Sequence, residues 1–264
     1  KTTLEYLTHV CELVVQETDM LPHANPGTMA RREIEALQPF NPSMGLMLES
    51  TSKALYSQGG PHEFAPSKRP RVRLRTLELA GQLRVPFTTG ILIGIGESRR
   101  DRIESLLAIA ELHAQYGHVQ EVIIQNFRAK PDTAMGDSPD AEMEEFLWTV
   151  AVARLILGPE ANLQVPPNLS AKDYQIYLDA GINDWGGVSP LTPDFVNPEA
   201  PWPALTDLKR KTEAAGFDLR PRLPVYPEYF LKTKRFLPDA LSLKVSAMAD
   251  AEGYVQGGMQ RYAG

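Results

Sequence analysis

The 264-residue chain predicts an α/β protein built as an incomplete (β/α)8 barrel, with about six parallel strands present. Three observations carry this. Apolar strand-like runs alternate strictly with helical patterns, which implies a parallel sheet with helices outside it. The run 87–95 (Phe-Thr-Thr-Gly-Ile-Leu-Ile-Gly-Ile) is continuously apolar rather than alternating, as in a strand buried on both faces. Polar residues close the strand candidates at Asn25, Glu49, Glu97, Asn126, Asn168 and Ser189, and polar groups converging from several strand ends make a barrel's working face. An open doubly wound sheet would carry its glycine-rich turn after the first strand, whereas here it falls mid-chain.

In chain order, residues 3–18 have helical spacing, with Leu4, Leu7, Cys11 and Val14 on one face. A short strand at 20–25 ends in Asn25-Pro26-Gly27, and a helix at 29–37 leads to a second strand, 43–49, that closes on Glu49. The loop 57–70 is rich in glycine and proline and longer than most strand-to-helix connections, which suits a functional loop. Helix 71–82 precedes the central strand 87–95, and helix 99–116 follows it. Strand 121–127 comes next. Ser138 followed by Pro139 reads as a helix start, and that helix runs to about residue 157. Strand 163–168, a helix opening at Ser170-x-x-Asp173 and stopping at Gly181, strand 183–189 and helix 203–215 complete the alternation. We divide the chain into a partial barrel, 1–216, and a C-terminal extension, 217–264, packed on it with a mobile tail after Ala251. Because the sequence opens inside a helical pattern, the first one or two βα units are expected upstream of Lys1.

Composition narrows the function classes. A net charge of −6, without a dense basic cluster, argues against nucleic-acid binding. No apolar run has transmembrane length and no signal-peptide pattern is present, so a cytoplasmic protein without membrane contact is expected. The single cysteine, Cys11, excludes an internal disulfide framework and reads as a buried small hydrophobe. His9, His113 and His118 fall on helices or their ends and read as structural or solvated. No two histidines have metal-ligand spacing.

The glycines of the central strand are unusual, because a glycine within a strand marks close approach of a ligand or of another backbone. Gly90-x-Leu92-x-Gly94-x-x-Glu97 therefore suits either a flat ligand lying on bare backbone or a bulge and tight strand-to-helix turn. Glu49 and Arg73 can reach the same end of the barrel. Such a pair satisfies the ammonium and carboxylate of an amino-acid-like ligand, or forms an ordinary salt bridge.

The glycine motif resembles the adenine-contacting strand of radical S-adenosylmethionine enzymes. Longer strings are similar to one family, the 7,8-didemethyl-8-hydroxy-5-deazariboflavin synthases: Leu21-Pro22-His23-Ala24-Asn25-Pro26-Gly27, Pro42 to Glu49, Gly59-Gly60-Pro61-His62, Gln125 to Pro131, and Asn183-Asp184-Trp185-Gly186-Gly187 with Val188 to Thr192. The resemblance runs from about residue 3 to about residue 240, and its tryptophan is expected to be lacking in the sister 4-hydroxyphenyl transferase. It implies a barrel of the radical S-adenosylmethionine class that holds a [4Fe–4S] cluster on a Cys-x3-Cys-x2-Cys loop. This sequence has no such loop, so the cluster ligands are absent from the chain.

The implied reaction is hydrogen abstraction from a tyrosine-derived ribityl-uracil adduct, then ring closure with loss of ammonia. An electron donor and the sister transferase, as a subunit or a fused half, are the implied partners. The implied cofactor-binding residues are Glu49, Arg73, Gly90, Leu92, Gly94, Glu97 and Asn126. Substrate contacts are expected among Asn25, His62, Thr88, Thr89, Asn168, Asn183 and Asp184. One of Thr88 and Thr89 should face the interior, since strand side chains alternate. Alternative readings are the sister transferase, a menaquinone-pathway relative, or a non-catalytic chain that keeps only nucleoside binding.

Overall fold

The computed structural model describes residues 2–169, 173–232 and 235–258. Five parallel strands, β1 (His23–Ala24), β2 (Ser43–Gly45), β3 (Phe87–Ile93), β4 (Val119–Asn126) and β5 (Leu163–Gln164), lie side by side in chain order. Around them run α1 (Thr3–Glu17), α2 (Arg31–Leu37), α3 (Pro70–Gln82), α4 (Arg99–Tyr116), α5 (Met143–Leu157), α6 (Gln175–Ala180), α7 (Leu205–Ala214) and α8 (Asp239–Met248). Sequential parallel order with a helical crossover at each step is the wall of a (β/α)8 barrel. The sheet stays open, because neither β1 nor β5 pairs with the other.

The sixth expected strand is reduced to one parallel bridge between Gln164 and Asp184. The first and fifth strands are likewise shorter than the sequence pattern suggests. Pro22 and Pro26 flank β1, and Pro166-Pro167 follows Val165, so ladder donors are missing on both sides.

Local chemistry explains the helix ends. Thr2 and Glu5 form a reciprocal capping box for α1, and Ser98 and Asp101 form one for α4. Pro70 opens α3 at its first position, where no N–H is required. The expected start of α5 at Ser138 is corrected. The helix begins at Met143, and Asp140 instead accepts the Ala129 amide at 2.9 Å, tying down the loop after β4. Ser170 of the expected capping box lies outside the described residues.

Alternation along β3 separates two environments. Phe87, Thr89, Ile91 and Ile93 are buried against the helix layer, where Leu77 and Ala80 of α3 and Leu106 and Ile109 of α4 join one core. Thr88 and Gly90 face the interior. A second, smaller core lies in the C-terminal extension, with Leu223, Val225, Tyr226, Tyr229 and Phe230 packed with Leu237, just before α8, and Val245 within it. Residues 254 and 255 pair with Arg222 and Ala249, so the chain after Ala251 is held at least that far; 259–264 lie outside the described residues. No helix among the described residues is long and apolar enough to cross a membrane.

Gly90 is explained by its neighbour strand. A Cβ there would sit 2.1 Å from the Ile123 carbonyl oxygen of β4, so the absent side chain serves strand-to-strand approach. Gly90→Ala is therefore expected to destabilise the protein by about 1–3 kcal/mol through overpacking. A thermal melt unchanged from wild type would show that β4 yields without cost.

Candidate functional site at the barrel mouth

The strand ends β2 to β5 converge on a mouth roofed by the loop 57–70. Its centre is Glu49, which follows β2 and is only 8% exposed. Glu49 sits at φ +66°, in the left-handed region that costs a non-glycine residue about 1 kcal/mol or more. Its amide donates to the Gly90 carbonyl at 3.0 Å and its carbonyl accepts from Leu92 at 2.9 Å, so β3 holds it there.

Three side chains meet the Glu49 carboxylate. Lys68 bonds Oε1, the Arg73 guanidinium lies 3.2 Å from the same oxygen, and His62 Nε2 lies 3.5 Å from Oε2. Arg73 is further fixed by donating to the carbonyls of Ser67, at 3.0 Å, and Met47. The expected Glu49–Arg73 pair thus exists, but as part of a four-residue cluster. Burial lowers the His62 pKa, and Lys68 and Arg73 push it further down against the opposing pull of Glu49.

Beside this cluster, β3 ends in the turn Gly94-Ile95-Gly96. Gly94 has φ +91°, and a Cβ on it would meet Ala141 Cβ at 2.6 Å. The turn conformation and the packing of the segment before α5 therefore both require glycine. Valine at 94 would be strained whatever binds nearby, so it cannot report on a ligand. Glu97, expected to contact cofactor, points under the turn. Its carboxylate accepts from Gly94 at 2.9 Å and Ile95 at 3.0 Å, and Arg102 of α4 donates to it at 2.7 Å. It builds the turn from beneath.

Asn126 and Asn168 end their strands with a shared peculiarity. Asn126 donates to the Leu169 carbonyl at 2.8 Å, and Asn168 donates to Asp194 at 2.9 Å, yet the amide oxygen of each is buried without a partner among the described residues. Buried acceptors left unpaired in a native protein call for an explanation, and a ligand donor is one. Leu92 and Asn126 line a cavity of about 360 Å³ at this end, together with Pro61, Gln125 and Phe127.

The interior below opens into a larger cavity of about 1080 Å³ lined by Asn25, Thr88, Glu121, Gln164, Asp184 and Arg222, among others. Thr88 is therefore the inward threonine. Thr89 is turned to the helix side, where it accepts the Leu48 amide at 3.2 Å, and is removed from the substrate candidates. Asn183 is also committed to structure, accepting from the Leu163 amide at 2.7 Å and donating to Asn162 at 3.1 Å.

Asp184 belongs to a buried floor. Between Phe87 and Thr88 the β3–β4 register skips Gln120, a bulge that aims Gln120 and Glu121 toward Thr88. Arg222 from the C-terminal extension then bridges Asp184, at 2.6 Å, and Glu121, at 2.7 Å. The Tyr226 hydroxyl lies 2.7 Å from Asp184 and 3.1 Å from Glu121. Burial raises the Glu121 pKa, and although Arg222 opposes this, the nearby Asp184 adds to it. Burial would raise Asp184 as well, but the charge and hydrogen bonds of Arg222 hold it below the usual carboxylate range.

Comparison with known proteins decides the family. No family model matches the chain. The 7,8-didemethyl-8-hydroxy-5-deazariboflavin synthase of Methanopyrus kandleri is 52% identical over 255 residues, covering 97% of this chain and 75% of that protein. The chain belongs to the 7,8-didemethyl-8-hydroxy-5-deazariboflavin synthase family. FO synthase of Streptomyces coelicolor is 53% identical over 251 residues, and that of Mycobacterium tuberculosis H37Rv is 49% identical over 251. The chain spans only 29% of the length of each of these two. Among solved structures, the FeFe-hydrogenase maturase HydG from Carboxydothermus hydrogenoformans matches with a TM-score of 0.64 at 20% identity, covering 81% of this chain and 52% of that one. Methylornithine synthase (PylB) matches with a TM-score of 0.61 at 16% identity, covering 82% and 64%. At such identities these two structures speak for the barrel fold alone.

Family membership gives the Asn-Asp-Trp-Gly-Gly string a structural meaning here. Trp185 is buried, donates to Thr212 of α7 at 3.1 Å and packs edge-on to Tyr174, with ring centroids 5.0 Å apart. Lys68, Glu121, Arg222 and Tyr226 were not among the residues expected from sequence. Glu121 alone left a signal, a carboxylate inside an otherwise buried strand.

Arg222→Met should leave two buried carboxylates without their cation and cost about 3–5 kcal/mol. In wild type the depressed Asp184 pKa contributes stability above the unfolded value, and this is lost as pH falls through the folded one. The deficit of the variant is therefore expected to narrow as pH drops below about 4. Denaturant unfolding of both proteins across pH checks this, and a pH-independent deficit would contradict it.

Proposed function

We propose that this chain supplies the cofactor- and substrate-binding barrel of an enzyme that closes the deazaflavin ring of 7,8-didemethyl-8-hydroxy-5-deazariboflavin. The substrate is a tyrosine-derived ribityl-uracil adduct, and ammonia is lost. The observation that carries this reading is the 52% identity to the Methanopyrus kandleri synthase across three quarters of that protein's length.

The mouth fits S-adenosylmethionine on three features of its own. Glu49 Oε2, Asn126 Oδ1 and Asn168 Oδ1 are buried acceptors without hydrogen-bond partners among the described residues. The Glu49–Arg73 pair offers one anion and one cation to an amino-acid group. The nearest atom to a Cβ built on Gly96 is Leu55 Cδ2, at 3.8 Å, which leaves bare backbone at the edge of the turn. Glu49 would take the ligand ammonium, Arg73 its carboxylate, and the two asparagine oxygens donor groups of the nucleoside or substrate. Gly94, Leu92 and the clamp made by Glu97 would position the base. When bound with its cluster, S-adenosylmethionine supplies hydrogen-abstraction chemistry.

The residues present do not fit the cluster itself. Cys11, the one cysteine, is buried in the core of α1 near Asn41, and no group of metal-ligating side chains occurs among the described residues. Thr88 and Asn25 line the interior where substrate would lie, and His62 closes the mouth above Glu49. An electron donor and a 4-hydroxyphenyl transferase half or subunit complete the proposed partners.

Two measurements on the full-length, anaerobically reconstituted protein test this reading. Deazaflavin product should form together with 5′-deoxyadenosine; a different aromatic product would assign the chain to another reaction. Glu49→Gln should weaken S-adenosylmethionine binding by about 1.5–3 kcal/mol, the worth of a charge-assisted hydrogen bond. Unchanged affinity in calorimetric titration would reduce Glu49 to a tether for the loop.

A further inference from the structure

The charges at the mouth do not balance. Lys68 and Arg73 place two positive charges on the single Glu49 carboxylate, and burial disfavours a third on His62. An excess cation at a site only a tenth open to solvent is prepared for an anion. The two cations differ in freedom. The Arg73 side chain is 8% exposed and tied to two backbone carbonyls besides Glu49. The Lys68 side chain is 35% exposed, ends the short turn Pro66–Lys68 in the roofing loop, and has Glu49 as its only ion-pair or hydrogen-bond partner among the described residues. Lys68 is thus the mobile cation, a point charge on a flexible four-carbon stem.

We propose that Lys68 occupies the ammonium position of the mouth and exchanges it for a ligand carboxylate. When an α-amino acid group enters, its ammonium replaces the Lys68 ammonium on Glu49 Oε1. The released Lys68 turns to the ligand's carboxylate, which Arg73 alone, already holding two carbonyls, is poorly placed to satisfy. No covalent bond of this chain is made or broken, and Lys68 ends beside a carboxylate as it began. The exchange also couples the loop to occupancy, since Lys68 leaves or keeps Glu49 according to what binds there. This inference rests on reading the mouth as the site for the amino-acid end of S-adenosylmethionine, and it assigns a role to a residue outside the motifs that carry the family resemblance.

The test uses full-length, cluster-reconstituted protein and two ligands, S-adenosylmethionine and its decarboxylated analogue, which keeps the ammonium and lacks the carboxylate. For each ligand the ratio of variant to wild-type affinity is read, so any contribution of the cluster iron common to both proteins cancels. In Lys68→Met, affinity for S-adenosylmethionine should fall about tenfold or more, the loss of one charge-assisted contact. Affinity for the decarboxylated analogue should stay level or rise, because the competitor for Glu49 has been removed. Lys68→Arg should restore much of the S-adenosylmethionine affinity. Equal weakening of both ligands, or of neither, in Lys68→Met would overturn the exchange. Glu49→Gln separates this failure from that of the underlying reading. If that variant binds both ligands as wild type does, the mouth is not the amino-acid site at all. If it weakens both while Lys68→Met does not discriminate, the site stands and only the exchange falls. Matching thermal melts of Lys68→Met and wild type confirm that the comparison is between folded proteins.

Discussion

The mouth depends on one backbone constraint, the wedging of Glu49 against β3. Its amide and carbonyl bond to Gly90 and Leu92, two positions apart on that strand, and hold a glutamate in the left-handed region. Such a conformation persists where the surroundings over-determine it, and it turns the side chain toward the strand ends. Arg73, Lys68 and His62 gather on the resulting carboxylate, so the start of α3 and the roofing loop both take their position from it. The loop therefore has an electrostatic anchor in place of an apolar core of its own; Phe64, its aromatic residue, is 88% exposed.

At the opposite end of the barrel the same physics is applied more fully. Glu121 and Asp184 come from different strand positions, and neither could be buried alone at acceptable cost. Arg222 and Tyr226 arrive from the C-terminal extension to satisfy them, and the Arg222 guanidinium also lies over the Tyr226 ring, 4.2 Å from its centroid. The extension thereby completes the floor under the interior cavity and carries its own small core outside it. Barrel and extension are joined there by charge and, beside it, by hydrogen bonds from Gln120 to the Pro224 carbonyl and from the Tyr226 amide to Gln120.

How much of this was legible in the sequence follows from the range of each interaction. The central strand was readable because its apolar run is continuous, and the extent of α4 and the stop at Gly181 because their signals are local. The direction of a side chain at a strand end was not. Spacing could not show that Glu97 folds under its own turn or that Thr88, rather than Thr89, looks inward, since a bulge at Gln120 decides what meets Thr88. The length of the first and fifth strands was overread, because hydropathy does not register donors missing at proline. The Arg222–Glu121 bridge joins residues about a hundred positions apart, and Lys68 lies in a loop without periodicity. For these, only tertiary geometry supplies the partner. The Glu49–Arg73 pair was legible as a pair, while its membership of a larger cluster was not.

The clamp beneath the Gly94–Gly96 turn reaches further than the turn. Glu97 is bound to Arg102 of α4, and Arg102 in turn donates to Glu145 of α5 at 2.7 Å, where Arg99 also binds. A strand-to-helix turn rich in glycine would ordinarily fluctuate as loops do. Here its carboxylate is bolted to two packed helices, so its thermal motion is theirs. The platform at the end of β3 is thereby tied by side chains to the outer layer of the barrel and not to the loop that roofs it. One wall of the mouth is thus tied through side chains to α4 and α5, while the facing loop is tied through Lys68 and His62 to Glu49 and through Ser67 to Arg73.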